Sequence, residues 1–312
     1  MKIKIFTATI ALVILTLSGL FFIVSKIIFQ PEPANIFIAT EDNESQSYVY
    51  PITVPNYIPI LNSSISRPQI NARAYLVYDT HSSRILIEKN IKERLPIASL
   101  TKILSAVVAL EKFSPEDIVS ITEASIKVDG EKQELYLGEK ISLRNLFKLM
   151  LIESSNDAAY AVANFAKEKG INFIKEMNTK AGALGMSNSI FTDPAGLDDS
   201  AYSSAEDLIR LVEYSLNYQE IWNISAEKTA IVESTDLKIK HSITTTNRLL
   251  GFLSDIIGGK TGRTDGALEC LILITAVPNY PSKIISIVLG SNDRFGDTQK
   301  LIDWTRTAYR WK

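Results

Sequence analysis

A serine and a lysine stand three residues apart in Pro96-Ile97-Ala98-Ser99-Leu100-Thr101-Lys102, where a strongly apolar segment begins. On an α-helix, residues i and i+3 share a face, so Ser99 Oγ and Lys102 Nζ can meet. The run that follows, Ile103-Leu104-Ser105-Ala106-Val107-Val108-Ala109-Leu110, is apolar nearly all round, which reads as a helix buried in a core. Burying an ammonium is costly unless it is paired, and burial also lowers the amine pKa. A lysine near neutrality beside a hydroxyl is a usable general base for a nucleophile. Taken alone the pair is a weak signal, because a surface serine near a surface lysine shows the same spacing.

Two further pieces stand beside it. Ser154-Ser155-Asn156 interrupts two apolar helical segments. A serine hydroxyl there can relay a proton, and an asparagine offers both an amide donor and an acceptor. Equally, serine and asparagine are favoured at helix N-caps for local backbone reasons. Lys260-Thr261-Gly262 lies on a short predicted strand with Gly258 and Gly259. A lysine next to a hydroxyl can bind a carboxylate, and glycines permit close backbone approach. A plain strand-edge lysine would look the same. The three motifs in this order, at a helix start, an inter-helix loop and a glycine-bearing strand, say far more than any one of them.

The elements that must position these residues can be read around them. Ala74-Tyr75-Leu76-Val77-Tyr78-Asp79 and Arg84-Ile85-Leu86-Ile87-Glu88 predict a hairpin. The Ser99 helix is expected to stop at Phe113-Ser114-Pro115. Ser142 is a good N-cap for a helix reaching Leu151. Further helices are predicted over residues 158–166, 173–184 and, from the capping-box spacing of Ser203 and Glu206, to Leu216. Thr229-Ala230-Ile231-Val232 and Leu237-Lys238-Ile239 predict another hairpin, residues 268–277 and 283–289 two more strands, and residues 293–309 a closing helix. Strands open and close the domain and helices are inserted between them. That order predicts an α+β fold, an α/β-type sandwich in which an antiparallel sheet of about five strands is flanked by helices, with a helical subdomain beside it.

The chain has 312 residues, of which 22% are charged and 46% hydrophobic, with a net charge of -2 and a pI near 5.9. No basic patch dominates, which argues against nucleic acid as a partner. With Cys270 as the one cysteine, neither an intrachain disulfide nor a cysteine-based metal cage can form. Neither histidine, His81 or His241, lies in a recognisable motif, and both read as ordinary polar positions. Lys2 and Lys4 precede an uncharged apolar stretch over residues 5–25, long enough to span a bilayer. No small-x-small cleavage site is evident before Ser25, so residues 1–29 read as a cytoplasmic tip with an uncleaved transmembrane helix. The early lysines favour an inside N-terminus, and Lys26 on the far flank weakens that bias. A single-pass protein of the cell membrane with its bulk outside the cytoplasm is expected. Pro31, Pro33, Pro51, Pro55, Pro59 and Pro68, among Asn, Ser and acidic residues, make residues 30–70 an expected extended tether. Residues 71–312 are then the folded catalytic domain.

At this point the sequence resembles a known family. Ser-x-x-Lys, Ser-x-Asn and Lys-Thr-Gly in that order resemble the penicillin-binding, serine β-lactamase-like superfamily, closest to the low-molecular-mass D-alanyl-D-alanine carboxypeptidases. Leu151-Ile152-Glu153-Ser154-Ser155-Asn156-Asp157, Pro194-Ala195-Gly196-Leu197-Asp198, Thr246-Asn247-Arg248-Leu249-Leu250 and Gly258-Gly259-Lys260-Thr261-Gly262-Arg263-Thr264 extend the likeness over roughly residues 70–310. The resemblance implies a β-lactamase/transpeptidase-like fold. It implies Ser99 as the acylated nucleophile, Lys102 as the acceptor of its proton and Ser154 as a proton relay to the leaving D-alanine. Asn156 would hold the substrate backbone. Lys260, Thr261 and Arg248 would bind the terminal carboxylate. The N–H groups of Ser99 and Arg263 would form an oxyanion hole. Like-charge repulsion from Lys260, with desolvation, is expected to depress the Lys102 pKa.

No metal and no organic cofactor is implied. Peptidoglycan stem peptides would be the substrate and β-lactam antibiotics covalent inhibitors. The family often adds a β-rich C-terminal domain and a C-terminal anchor; the chain ends at Lys312 and neither is expected. Ser155 stands where many members have glycine. A β-lactamase is the nearest rival, but residues 188–200 hold Asp193, Asp198 and Asp199 and no glutamate to activate a deacylating water. An endopeptidase on cross-links would use the same site, and a non-catalytic penicillin-binding scaffold is disfavoured by the intact motifs.

Overall fold

The computed structural model describes residues 57–127, 135–253 and 255–312. In chain order, β1 (Pro59–Leu61) is followed by the hairpin of β2 (Ala74–Asp79) and β3 (Arg84–Lys89). A short 3-10 turn, Ala98–Leu100, leads into α1 (Thr101–Lys112). A helical region follows: β4 (Ile118–Ser120), α2 (Glu123–Ile126), β5 (Lys140–Ser142), α3 (Leu143–Lys148), a wide π turn at Leu149–Glu153, α4 (Asn156–Glu168) and α5 (Phe173–Ala183). Then come α6 (Ala205–Ser215), α7 (Gln219–Ser225) and the hairpin β6 (Thr229–Glu233)–β7 (Lys240–Thr244). The chain closes with β8 (Ile256–Thr264), β9 (Leu268–Ala276), β10 (Lys283–Ser291), α8 (Arg294–Ala308) and β11 (Tyr309–Trp311).

Five strands form one antiparallel sheet in the order β3-β2-β10-β9-β8, so the first hairpin is closed by the late strand β10, as the order of elements predicted. Strands β9 and β10 are nearly continuous apolar runs because both of their faces are covered. One face carries Leu76, Ile272, Ile274 and Ile287 into the larger core with α1 and α6. The other sends Val77, Leu271, Leu273 and Val288 against Leu301 and Trp304 of α8. Helix α1 is buried from Thr101 to Ala109, lying between the sheet side and α4, α5 and α6. The expected all-round burial of this helix is what the sandwich imposes, since it has protein on every side.

Several boundaries differ from the sequence expectation. The tether expected over residues 30–70 does not reach residue 70. Pro59–Leu61 pairs with Tyr309–Trp311, and the Tyr57 ring meets that of Tyr280 edge-on at 4.9 Å. Ile65 and Ile70 pack on the second core, so at least residues 57–70 belong to the folded unit. Prolines there mark an edge strand rather than a free linker, because an edge residue can lack an N–H on its open side. Ser204, not Ser203, caps α6: its Oγ accepts from Asp207 N at 3.2 Å. Ser203 is instead extended, exchanging backbone hydrogen bonds with Leu95. The second strand of the β6–β7 hairpin starts at Lys240 rather than Leu237. Asp236 Oδ1 accepts from Ser234 Oγ and Lys238 N and stabilises a turn in which Leu237 is left-handed, at φ 60°. The transmembrane helix expected within residues 1–29 lies outside the described residues. Among the described residues no helix is long and apolar enough to cross a membrane.

Candidate active site

Ser99 sits in the 3-10 turn and Lys102 in the first turn of α1, so the i,i+3 spacing becomes a contact: Lys102 Nζ donates to Ser99 Oγ at 2.7 Å. The turn before it is forced. Ala98 takes a left-handed φ of 48°, an uncommon conformation for a residue with a side chain. Lys102 also donates to Asn156 Oδ1 at 2.8 Å and to the Ala195 carbonyl at 3.0 Å. Its side chain is fully buried, and burial pushes its pKa down to about 7, against the pull of the Asp193 carboxylate. The repulsion expected from Lys260 is not among the causes; loss of water is sufficient. A lysine in that state is half neutral near pH 7 and can accept a proton.

The loop over Lys102 is built by Asp193. Its carboxylate accepts from four backbone N–H groups, those of Ala195 at 2.7 Å, Gly196 at 2.6 Å, Leu197 at 3.0 Å and Asp198 at 2.9 Å. Ser105 Oγ holds the next carbonyl, donating to Pro194 O at 2.7 Å. Gly196 has a φ of +75°, and a Cβ there would fall 2.0 Å from the Ala98 carbonyl oxygen. Only glycine lets this loop close on the Ser99 turn.

The second motif divides its work. Helix α3 widens into the π turn, which ends with Ser154 in a left-handed conformation at φ 71°. Ser155 is the N-cap of α4, its Oγ accepting from Ala158 N at 3.2 Å. The capping reading of this motif therefore holds for Ser155, while Ser154 and Asn156 face the cleft on either side of it. On the opposite wall, Lys260 Nζ donates to Ser154 Oγ and to the Thr261 carbonyl, both at 2.8 Å. Gly262 lies against the 3-10 turn: a Cβ there would stand 2.7 Å from Ile97 O and 3.1 Å from Ser99 N. Thr261 Oγ1 and Thr246 Oγ1 share a hydrogen bond of 2.5 Å.

These walls enclose a cleft of about 410 Å³ lined by Ser99, Ser154, Asn156, Thr246, Thr261, Arg263 and Arg294 among others. Seven of the eight residues singled out in the sequence meet here: Ser99, Lys102, Ser154, Asn156, Lys260, Thr261 and Arg263. Arg248 does not line the cleft. It is exposed, its guanidinium 5.7 Å from the Phe295 ring centroid, while the neighbouring Asn247 is buried and its Oδ1 accepts from Leu249 N at 3.1 Å. Thr246, Asp193 and Arg294 were not singled out. Asp193-Pro194-Ala195-Gly196 carries a turn signature that points to Asp193; nothing local marks Arg294. The described residues contain no cluster of metal-ligating side chains.

The Ser99 turn under a helical lobe, faced by the edge strand of a five-stranded sheet, defines a penicillin-binding, transpeptidase-like fold. The family profile for D-alanyl-D-alanine carboxypeptidases matches residues 62–293, and the chain belongs to that family. The D-alanyl-D-alanine carboxypeptidase DacF of Bacillus subtilis is 31% identical over 76% of this chain; the match spans 63% of that protein's length. The D-alanyl-D-alanine endopeptidase of Pseudomonas aeruginosa is 33% identical over 75% of this chain and 76% of its own. Among solved structures, penicillin-binding protein D2 of Listeria monocytogenes in its ampicillin-bound form superposes with a TM-score of 0.65 at 30% identity, covering 77% of this chain and 99% of that one.

Proposed function

We propose that the chain is a serine-type D-alanyl-D-alanine carboxypeptidase that removes the terminal D-alanine from peptidoglycan stem peptides through an acyl-enzyme on Ser99. The observation that carries this reading is the 2.7 Å contact between Ser99 Oγ and a buried Lys102 whose pKa lies near 7. Lys102 takes the hydroxyl proton as Ser99 Oγ attacks the carbonyl of the penultimate D-alanine. The tetrahedral oxyanion is received by the N–H groups of Ser99 and Arg263, donors of a kind worth roughly 10²–10³ in rate. Collapse breaks the peptide C–N bond. The leaving amine gains a proton through Ser154, which Lys260 Nζ contacts at 2.8 Å. Asn156 would orient the peptide backbone, and Thr261 with Lys260 would meet the terminal carboxylate. Water then cleaves the Ser99 ester by the same route in reverse.

The reading extends to an anchor over residues 1–29 that holds the domain on the outer face of the cell membrane. An endopeptidase acting on cross-links is the second reading, favoured by the Pseudomonas relative of that name, of which the match covers the larger share. Labelling with a fluorescent penicillin tests the acyl-enzyme: wild type should label and Ser99→Ala should not, and a folded wild type that fails to label would sink the reading. Comparing D-alanine release from a pentapeptide with cleavage of a cross-linked dimer and with nitrocefin hydrolysis then separates carboxypeptidase, endopeptidase and β-lactamase.

A further inference from the structure

Arg294 reaches the site from behind the sheet. It opens α8, and its backbone N–H donates to Glu269 Oε2 at 3.2 Å. Its Nη1 donates to the Gly262 carbonyl at 2.8 Å, and its guanidinium lies 4.9 Å from the Phe295 ring centroid. The same side chain lines the cleft. Gly262 C=O and Arg263 N–H belong to one peptide unit. The described chain has no cis bonds, and a trans peptide is planar, so this carbonyl and this N–H point in opposite directions on one rigid plate. The plate sits on β8, an edge strand, and Gly262 packs on the Ser99 nitrogen.

We propose that Arg294 is a positioning residue, which grips the Gly262 carbonyl and thereby aims and strengthens the Arg263 N–H that receives the oxyanion. The inference rests on the acyl-transfer reading above. Three physical effects act together. A hydrogen bond on the oxygen of an amide polarises its N–H and makes it a better donor. Fixing the plate removes reorganisation at the moment charge develops. A permanent positive charge behind the donor favours negative charge in front of it. The surroundings fit that purpose. Burial, with the neighbouring charges of Arg248 and Arg263, holds the Arg294 pKa below the usual arginine value, while Glu269 opposes this.

The test uses the full chain and three variants, Arg294→Lys, Arg294→Gln and Arg294→Met. Five quantities are measured: the acylation rate with a fluorescent penicillin, kcat and KM for a pentapeptide, inhibition by a boronic acid whose adduct on Ser99 is a tetrahedral anion, and the thermal midpoint. Arg294→Met should lose about 10-fold or more in acylation rate, kcat and boronate affinity, less than the loss of a direct donor. Its KM should stay within about 2-fold, since the interaction is made in the transition state. Arg294→Lys should recover most of the loss and Arg294→Gln, which keeps a donor without the charge, only part. If Arg294→Met does not fold, the gap between the Lys and Gln variants decides. Boronate affinity equal to wild type in every folded variant overturns the proposal, as does a rise in KM at constant kcat, which would make Arg294 a simple substrate-binding group. A wild type that is never acylated defeats the acyl-transfer reading itself, whereas an active wild type matched by its variants defeats only this inference.

Discussion

The two walls of the cleft solve different problems by different means. The helical wall supplies side chains: Ser99, Lys102, Ser154 and Asn156 all come from turns or first helical turns between residues 98 and 156. Its chemistry depends on strained backbone, at Ala98 and Ser154, and on the Asp193 loop that keeps water from Lys102. The strand wall supplies backbone as much as side chain. Lys260 and Thr261 project from β8, but Gly262 contributes closeness and Arg263 an N–H, and both depend on the register of β8 with β9 through Gly262↔Cys270. On the proposed acyl-transfer reading, one wall is an acid–base device sensitive to burial and the other a template sensitive to small displacements.

The largest expected effect breaks the first wall at its base. Lys102→Met keeps the burial and removes the proton acceptor, and acylation should fall by about 10³-fold or more. In wild type the acylation rate should climb as pH rises through about 7, as Lys102 loses its proton. That limb should vanish from whatever activity the variant retains. The same depressed pKa has a sign for stability. Between about 7 and the ordinary lysine value the unfolded chain binds the proton and the folded chain does not, so wild-type stability should gain with pH over that window relative to Lys102→Met. Equal slopes in denaturant titrations across pH would show that Lys102 is not held neutral.

Next come the two glycines that press on the Ser99 turn. Gly196→Ala places a methyl 2.0 Å from Ala98 O at a φ of +75°, and Gly262→Ala places one 2.7 Å from Ile97 O in ordinary strand backbone. Both should be destabilised by about 1–3 kcal/mol, Gly196→Ala more, from steric crowding. Activity should distinguish them further. If the Ser99 and Arg263 N–H groups receive the oxyanion as proposed, Gly262→Ala spreads them apart and should lose acylation beyond its loss of stability; thermal melts paired with acylation rates check this. The smallest effect is expected for Thr246→Val, which removes the 2.5 Å bond to Thr261 Oγ1. A loss of about 1 kcal/mol, seen as a several-fold rise in KM with kcat kept, would place Thr246 in carboxylate orientation. An unchanged KM would restrict it to packing.

Some of this was legible before any fold was known. The Ser99–Lys102 contact follows from helical spacing, and the opening and closing strands follow from runs such as Leu271-Ile272-Leu273-Ile274. The Ser142 cap and the interruption at Ser154 were equally local. The misses share a cause. Pro59–Leu61 looked like tether because its partner, Tyr309–Trp311, lies at the other end of the chain. The resemblance assigned Arg248 to the carboxylate, but its side chain is exposed and lies against Phe295 rather than lining the cleft. Arg294 carried no signal at all, since its target, Gly262 O, is supplied by a strand 32 residues away.

By itself, then, the sequence offered the side chains that could do chemistry, because a spacing of three residues on a helix is set by bonded geometry. Tertiary structure decided what state they are in. Lys102 is ordinary until the Asp193 loop and the core remove its water, and the Arg263 N–H is one among many until β8 docks on the Ser99 turn. Desolvation and close approach are sums over everything packed around a group, and no local stretch contains those terms.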